Sequence, residues 1–150
     1  MKKYEALSTA ISIATMAHEG MYDRGGKPYI LHPLHLMTSL LFDTELAIIA
    51  VLHDVVEDSD VLLEDLVHAG FSPRVTRALG LLTHTIGVPY EEYIEGICGS
   101  YDAIRVKRKD LEHNSDITRL KGITDKDLAR TKKYHKAFTR LGKAKRTFEK

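Results

Sequence analysis

Residues Leu46 to Asp54 read LAIIAVLHD, which is the longest uninterrupted apolar run of the chain followed at once by a histidine and an aspartate. The run is far shorter than the roughly 20 apolar residues that cross a bilayer. Asp43 or Thr44 can cap a helix that begins near Glu45. The pattern therefore predicts a buried core helix that carries the His-Asp pair at its end.

Helices are predicted on both sides of this run. From Tyr4 to His18 apolar residues recur every three or four positions, which is typical of a helix with one buried face. Glycines and a proline interrupt this period, and they predict a loop over 19–31. Further helices are predicted over 33–42, 45–54, 61–69, 73–85, 90–98, 103–114 and 125–141. No stretch alternates as a β-strand does, so the predicted fold class is all-α.

The chain of 150 residues fits one domain, 1–150, that ends in a basic helix at about 125–150. Residues 119–150 hold 12 Lys or Arg against 3 Asp or Glu, although the whole chain has a net charge of only +1. Such a segment can attract nucleic acid or a polyanionic small molecule. No aromatic and basic residues interleave as in RNA-binding segments, so a solvated helix face is favoured over a nucleic-acid partner.

Composition also bears on location. The basic start Met-Lys-Lys is not followed by the apolar core of a signal peptide, and no membrane span is expected. We therefore expect a cytoplasmic protein. The single cysteine, Cys98, cannot form an intrachain disulfide and is expected to be a packed or half-exposed residue.

Four residues form the constellation that points to chemistry. They are His32, the adjacent pair His53 and Asp54, and the distant Asp110, and only tertiary packing can bring them together. Two imidazoles and two carboxylates suit a divalent transition metal such as manganese, iron or zinc. A metal held in this way activates water and neutralises charge on a phosphoryl oxygen. The spacing alone leaves open that a buried histidine at a helix end is only structural.

Three segments in order carry a family resemblance. Arg24 to Leu34, RGGKPYILHPL, resembles the start of the hydrolase domain of RelA/SpoT-type alarmone enzymes. Leu52 to Ser59, LHDVVEDS, resembles the most distinctive motif of that family almost letter for letter. Val106 to Asn114, VKRKDLEHN, is similar to the segment with the family's last metal aspartate and, four residues later, an asparagine. The likeness extends over residues 5–120 and indicates an HD-superfamily metal-dependent phosphohydrolase.

The resemblance implies a compact multi-helix HD-domain bundle. It implies hydrolysis of guanosine 3′,5′-bis(diphosphate) and its pentaphosphate relative at the 3′ position, with release of pyrophosphate and usually with manganese, Mn²⁺. Glu57 and Asp58 would orient and activate water. A further helical turn after the His-Asp pair would bring them close to the four predicted ligands. The residues that would hold the ion are His32, His53, Asp54 and Asp110.

The same resemblance suggests substrate contacts. Arg24 matches the position at which the family packs a guanidinium against the purine, a task that suits arginine, and Asn114 matches a nucleoside-contacting asparagine. His84 is expected near the site, where it would touch a phosphate or cap a helix. Gly25 stands where the family usually has a second basic residue, and Lys27 follows two positions later as a candidate phosphate contact. These departures leave base specificity open.

Two alternatives remain. One is an HD phosphohydrolase for another nucleotide, such as an adenine alarmone or NADPH, because Arg24 can stack on any purine. The other is a non-catalytic nucleotide-binding module whose basic C-terminal helix meets nucleic acid or a partner protein. Glu57 and Asp58 argue against it, since a purely structural metal site needs no further carboxylates. Too few residues follow Asp110 for a synthetase domain, so we expect a stand-alone hydrolase; a homo-oligomer is possible, but the sequence indicates no interface.

The remaining histidines are not expected to be metal ligands. His18 and His35 lie within a helical turn of motif residues and are expected to pack or to support the ligands. His68 and His135 are expected on the surface.

Overall fold

A computed structural model describes residues 1–150 as a bundle of nine α-helices without a β-strand, which confirms the predicted all-α class. None of these helices combines the length and the apolar character needed to span a membrane. The helices are α1 (Lys3–Ala17), α2 (Leu31–Ser39), α3 (Thr44–Leu52), α4 (Val55–Asp58), α5 (Leu63–His68), α6 (Pro73–Leu82), α7 (Tyr90–Ile97), α8 (Tyr101–Asn114) and α9 (Asp125–Phe148), with a 3₁₀ turn at Ile117–Arg119.

Helix α3 is the centre of the core. From Leu46 to Leu52 every side chain is buried, and α1, α2, α6 and α8 pack around the helix. Asp43 is the N-cap and its carboxylate accepts a hydrogen bond from the Leu46 amide at 3.3 Å. Because the helix is apolar on all sides, it has to lie inside the bundle. His53 directly follows its C-terminal end.

Several helix ends differ from the sequence prediction. Helix α2 ends at Ser39 rather than at residue 42, and α3 ends at Leu52 rather than at Asp54. Helix α6 stops at Leu82 rather than at Thr85, because Thr83 adopts an extended backbone and its hydroxyl donates back to the Leu79 carbonyl at 2.8 Å. A separate short helix, α4, follows the His-Asp pair and carries the two predicted catalytic carboxylates.

Helix α9 continues past Leu141, where the apolar period ends, as far as Phe148, within the basic helix predicted at about 125–150. Ala137, Leu141 and Ala144 are buried at spacings of three and four, so the helix keeps one apolar face against α8 while its other faces are charged. The basic C-terminal segment thus packs on the domain.

A reciprocal hydrogen-bonded cap begins α9. Asp127 accepts from the amide and the hydroxyl of Thr124, each at 2.9 Å, and its own amide donates to the Thr124 hydroxyl at 3.2 Å. Arg130 donates to the same carboxylate at 2.8 Å. The hydrogen bonds from Thr124, together with that from Arg130, lower the pKa of Asp127 to about 2.

Burial in α3 gives a stability test. Ile49→Ala deletes a side chain that is fully buried, and we expect the free energy of unfolding to fall by about 2–5 kcal/mol, through lost burial and the cavity left behind. The measurement is urea unfolding followed by circular dichroism. The matched control is Ile86→Ala in a fully exposed position, which should change stability by no more than about 0.5 kcal/mol. Equal losses in the two variants would contradict the assignment of α3 as the core.

The cap of α9 gives a pH test. Because the pKa of Asp127 is lowered in the folded state, its stabilising effect is complete above the ordinary aspartate pKa and is lost as the pH falls through about 2. Asp127→Asn should therefore lower the melting temperature at pH 7, and its difference from the wild type should shrink between about pH 4 and pH 2. Asp125→Asn, in the same helical turn with an exposed side chain, is the control. A difference that does not vary with pH would exclude this role.

Candidate active site

The four predicted metal ligands meet at the C-terminal end of α3. His32 comes from the first turn of α2, His53 and Asp54 from the junction of α3 and α4, and Asp110 from α8. One ligand atom from each of the four lies within 4.8 Å of the others. This spacing is small enough for all four atoms to contact one ion, so the predicted cluster forms.

Both histidines present Nε2 to this centre. His53 Nδ1 lies 2.7 Å from the Ala50 carbonyl and donates to it, which leaves the lone pair on Nε2. That Nε2 is buried, has no well-aligned hydrogen-bond partner, and lies 2.9 Å from Asp54 Oδ2 and 3.4 Å from Asp110 Oδ1. Burial disfavours the charged ring, but the two carboxylates outweigh burial and raise the pKa of His53.

The carboxylates are held as anions. Burial would raise the pKa of Asp110, yet Lys107, His32 and His53 hold it well below its usual value. Lys107 Nζ lies 2.7 Å from Asp110 Oδ2. The cluster thus offers two imidazoles and two ionised carboxylates, and His53 Nε2 is buried without a hydrogen-bond partner. Such a donor set fits a divalent cation.

Polar neighbours orient both aspartates. The Tyr29 hydroxyl donates to Asp54, and Asn114 Nδ2 donates to Asp110 Oδ1 at 2.9 Å. Burial raises the pKa of Asp54, but His53 more than offsets this and the pKa falls to about 2.

The predicted catalytic carboxylates stand on α4 beside the cluster. The main-chain amide of His84 donates to Glu57, and partial burial together with nearby Asp54 raises the pKa of Glu57. Asp58 Oδ2 lies 3.3 Å from Nε2 of the buried His18. Each carboxylate is thus contacted by a residue from outside α4, which limits its orientations.

A cavity of about 390 Å³ opens next to the cluster. Tyr29 and Asp58 line it, together with the predicted substrate residues Arg24 and Asn114. The other polar side chains in its wall are Tyr22, Asp23, Asp116, Arg119, Asp127, Arg130, Thr131 and Tyr134. The cavity thus joins the neighbourhood of the metal ligands to a wall that carries three guanidinium groups.

Two predicted substrate residues lie outside that wall. Lys27 is exposed and its amide donates to Asp23 Oδ1 at 2.9 Å. The His84 ring stacks on Tyr93, with centroids 4.4 Å apart, and its Nε2 lies 2.7 Å from the Val88 carbonyl. A role in substrate binding for either residue stays a prediction.

The glycine after Arg24 has a structural reason. A Cβ atom on Gly25 would lie 2.1 Å from the main-chain oxygen of Arg119, so no side chain fits there. The Arg119 guanidinium instead donates to Asn114 Oδ1 and Asp23 Oδ2, each at 3.3 Å. A cation from the 3₁₀ turn therefore stands in the cavity wall near the position at which the family usually has a basic side chain on the loop.

Sequence reasoning missed several contacting residues. Lys107 could have been found, because it lies three residues before Asp110 and shares its helical face. Tyr29 lies inside the first motif but carries no spacing signal toward Asp54. Arg130 and Tyr134 come from α9, for which the sequence predicted only a basic face.

Comparison with known proteins finds sequence relatives for part of the chain. No family model matches the chain. It is 43% identical over 72 residues to a guanosine-3′,5′-bis(diphosphate) 3′-pyrophosphohydrolase of Vibrio cholerae, covering 45% of this chain and 10% of that protein. It is 31% identical over 90 residues to the protein of the same name from Aquifex aeolicus, covering 58% and 13%. The chain therefore spans about a tenth of the length of these relatives.

A solved structure matches nearly the whole fold. It belongs to a metazoan ortholog of SpoT that is described as hydrolysing ppGpp. The TM-score is 0.75 at 24% sequence identity, and the match covers 91% of this chain and 84% of that chain.

The all-helical bundle thus gathers two histidines and two aspartates at the end of its central helix, in an arrangement that could hold a metal ion. Its fold is that of the SpoT ortholog, and part of its sequence is similar to the guanosine-3′,5′-bis(diphosphate) 3′-pyrophosphohydrolases.

The cluster gives a direct binding test. Calorimetric titration of metal-free protein with Mn²⁺ should show one ion per chain. His53→Ala removes a ligand atom, so its affinity should drop by more than the roughly 10- to 100-fold that loss of an outer hydrogen-bond partner costs. His68→Ala, on the exposed surface of α5, is the control and should bind as the wild type does. Unchanged affinity in a folded His53→Ala protein would rule out this centre.

Proposed function

We propose that this protein is a guanosine-3′,5′-bis(diphosphate) 3′-pyrophosphohydrolase, which uses one bound Mn²⁺ to convert ppGpp and pppGpp to GDP or GTP and pyrophosphate. One observation carries the proposal. Arg24 and Asn114 line the same cavity as Tyr29 and Asp58. Tyr29 donates a hydrogen bond to the predicted ligand Asp54, and Asp58 is one of the two predicted catalytic carboxylates. A nucleotide bound along this cavity can therefore place a phosphate at the cluster.

The guanidinium groups of the cavity support an anionic ligand. Arg24, Arg119 and Arg130 line it together with four aspartates, Asp23, Asp58, Asp116 and Asp127. Arg119 is paired with Asp23 and Arg130 with Asp127, which leaves Arg24 without a carboxylate partner. Arg119 and Arg130 belong to the basic C-terminal segment. Part of that basic charge thus faces a small-molecule cavity. Guanidinium groups pair with phosphates and stack on purine faces, so they suit both ends of a nucleotide.

The ion and the carboxylates have separate tasks. When bound by His32, His53, Asp54 and Asp110, the ion supplies an electrophile for the phosphoryl oxygens and favours deprotonation of water. Glu57, whose pKa is raised above its ordinary value by partial burial and by nearby Asp54, suits the transfer of a proton from water. Asp58, on the same helical turn and in the cavity wall, is placed to orient that water.

The proposed reaction is a hydrolysis in which atoms balance. The water oxygen forms a bond to the phosphorus attached to the 3′ oxygen, and the bond between that phosphorus and the 3′ oxygen breaks. Glu57 takes a proton from the attacking water and passes it to solvent, and the leaving 3′ oxygen takes a proton from solvent. The products are the nucleoside 5′-di- or triphosphate with a free 3′ hydroxyl and pyrophosphate.

The test is pyrophosphate release from ppGpp by Mn²⁺-loaded protein. Glu57→Gln keeps the size of the side chain but removes the base, so kcat should fall about 10²- to 10⁴-fold, with Mn²⁺ affinity retained. Glu64→Gln, an exposed change of the same kind on α5, is the matched control and should be fully active.

Different substrates separate the alternatives. An adenine analogue of ppGpp and NADPH are assayed beside ppGpp, because Arg24 can stack on any purine. Cleavage of one of these with ppGpp untouched would reject the proposed substrate and retain the hydrolase. If metal-loaded protein binds the nucleotides but cleaves none of them, the chain is a binding module and the proposal fails.

A further inference from the structure

His113 lies against the metal cluster without belonging to it. Its Nδ1 is 2.7 Å from Nδ1 of His32, and the two rings are parallel within 6°. Helix α8 places His113 three residues after Asp110, and residues at this spacing share one face of a helix. A ligand and a further histidine from α8 therefore contact His32 together.

The short contact restricts where the hydrogens are. One of the two Nδ1 atoms has to donate and the other has to accept, because two lone pairs do not attract each other. His32 Nε2 lies 2.8 Å from Asp110 Oδ1 and so faces the cluster. An ion held there needs the lone pair on His32 Nε2, which places the ring hydrogen on Nδ1. His113 Nδ1 is then the acceptor.

We infer that His113 is a positioning residue of the metal centre, which accepts a hydrogen bond from His32 Nδ1–H and so fixes the tautomer and the ring orientation in which His32 Nε2 faces the ion. The inference rests on the proposed function only in requiring a divalent ion at the cluster. Metal-bound histidines usually donate their second N–H to a carboxylate, a carbonyl or water. His53 does so to the Ala50 carbonyl, whereas His32 has an imidazole in that place.

A third ring holds His113 from its other side. The exposed His35 stacks on it with centroids 4.0 Å apart and an angle of 16° between planes. His32 and His35 stand one turn apart on α2, and the His113 ring contacts both. This stack restrains rotation of His113, which keeps its Nδ1 aimed at His32.

Two substitutions separate hydrogen bonding from packing. His113→Asn keeps an acceptor oxygen near the position of Nδ1, whereas His113→Leu fills similar space without an acceptor. We expect His113→Leu to weaken Mn²⁺ binding about 10- to 100-fold in calorimetric titration, and His113→Asn to restore most of the affinity. His135→Leu, an exposed histidine on α9, is the control, and circular dichroism verifies the fold of each variant.

The tautomer is read directly in the zinc-loaded protein. Long-range ¹H–¹⁵N correlation spectra should place the hydrogen of His32 on Nδ1, and Nδ1 of His113 should appear unprotonated. A hydrogen on His32 Nε2, unchanged Mn²⁺ affinity in His113→Leu, or equal losses in the Asn and Leu variants would each overturn the inference. A wild-type chain that binds no divalent ion would overturn it as well.

Binding is measured without nucleotide, so the two proposals fail separately. If ppGpp is not cleaved but affinity falls in His113→Leu and returns in His113→Asn, the proposed substrate is rejected and the role of His113 is supported.

Discussion

Two carboxylates withdrawn from water beside an apolar helix set the terms for the rest of this protein. Ionised groups in such a place are costly unless they are paired and hydrogen-bonded. Asp54 accepts a hydrogen bond from the Tyr29 hydroxyl, and Asp110 accepts hydrogen bonds from Lys107 and Asn114. The same carboxylates raise the pKa of His53, because they favour positive charge on the neighbouring ring. A divalent cation supplies the same compensating charge from one atom, which is why the electrostatics and the donor chemistry of the cluster agree.

The cavity beside the cluster depends on contacts between segments far apart in the chain. The loop that carries Arg24 can approach the 3₁₀ turn only because Gly25 has no side chain. Helix α9 then adds Arg130 and Tyr134 to the wall, and its position depends on the cap at Thr124 and on the buried face against α8. The cavity wall is thus assembled by packing the C-terminal helix on a core that already holds the four predicted metal ligands.

These contacts explain which features the sequence could predict. The apolar run of α3, the His-Asp pair at its end and the helical class follow from local patterns, and the four ligands from motifs in a known order. The pairing of His32 with His113 joins residues 81 positions apart, and no local period reports it. The apolar period of α9 ended at Leu141 in the sequence for a different reason: its buried face consists largely of small residues such as Ala137 and Ala144 between charged positions, so its apolar stripe is weak.

The carboxylates of the cluster impose an order on the proposed chemistry. Asp54 and Asp110 are ionised, and like charges in a partly desolvated site repel strongly. A phosphate therefore gains little by approaching the cluster until a cation is held there, although Arg24 in the cavity wall favours an anion. A polyanionic nucleotide can bind productively only when the cluster attracts its reactive phosphate as well. Under the proposed function, binding of the ion thus determines whether the nucleotide's reactive phosphate occupies the site, besides activating the water that attacks it.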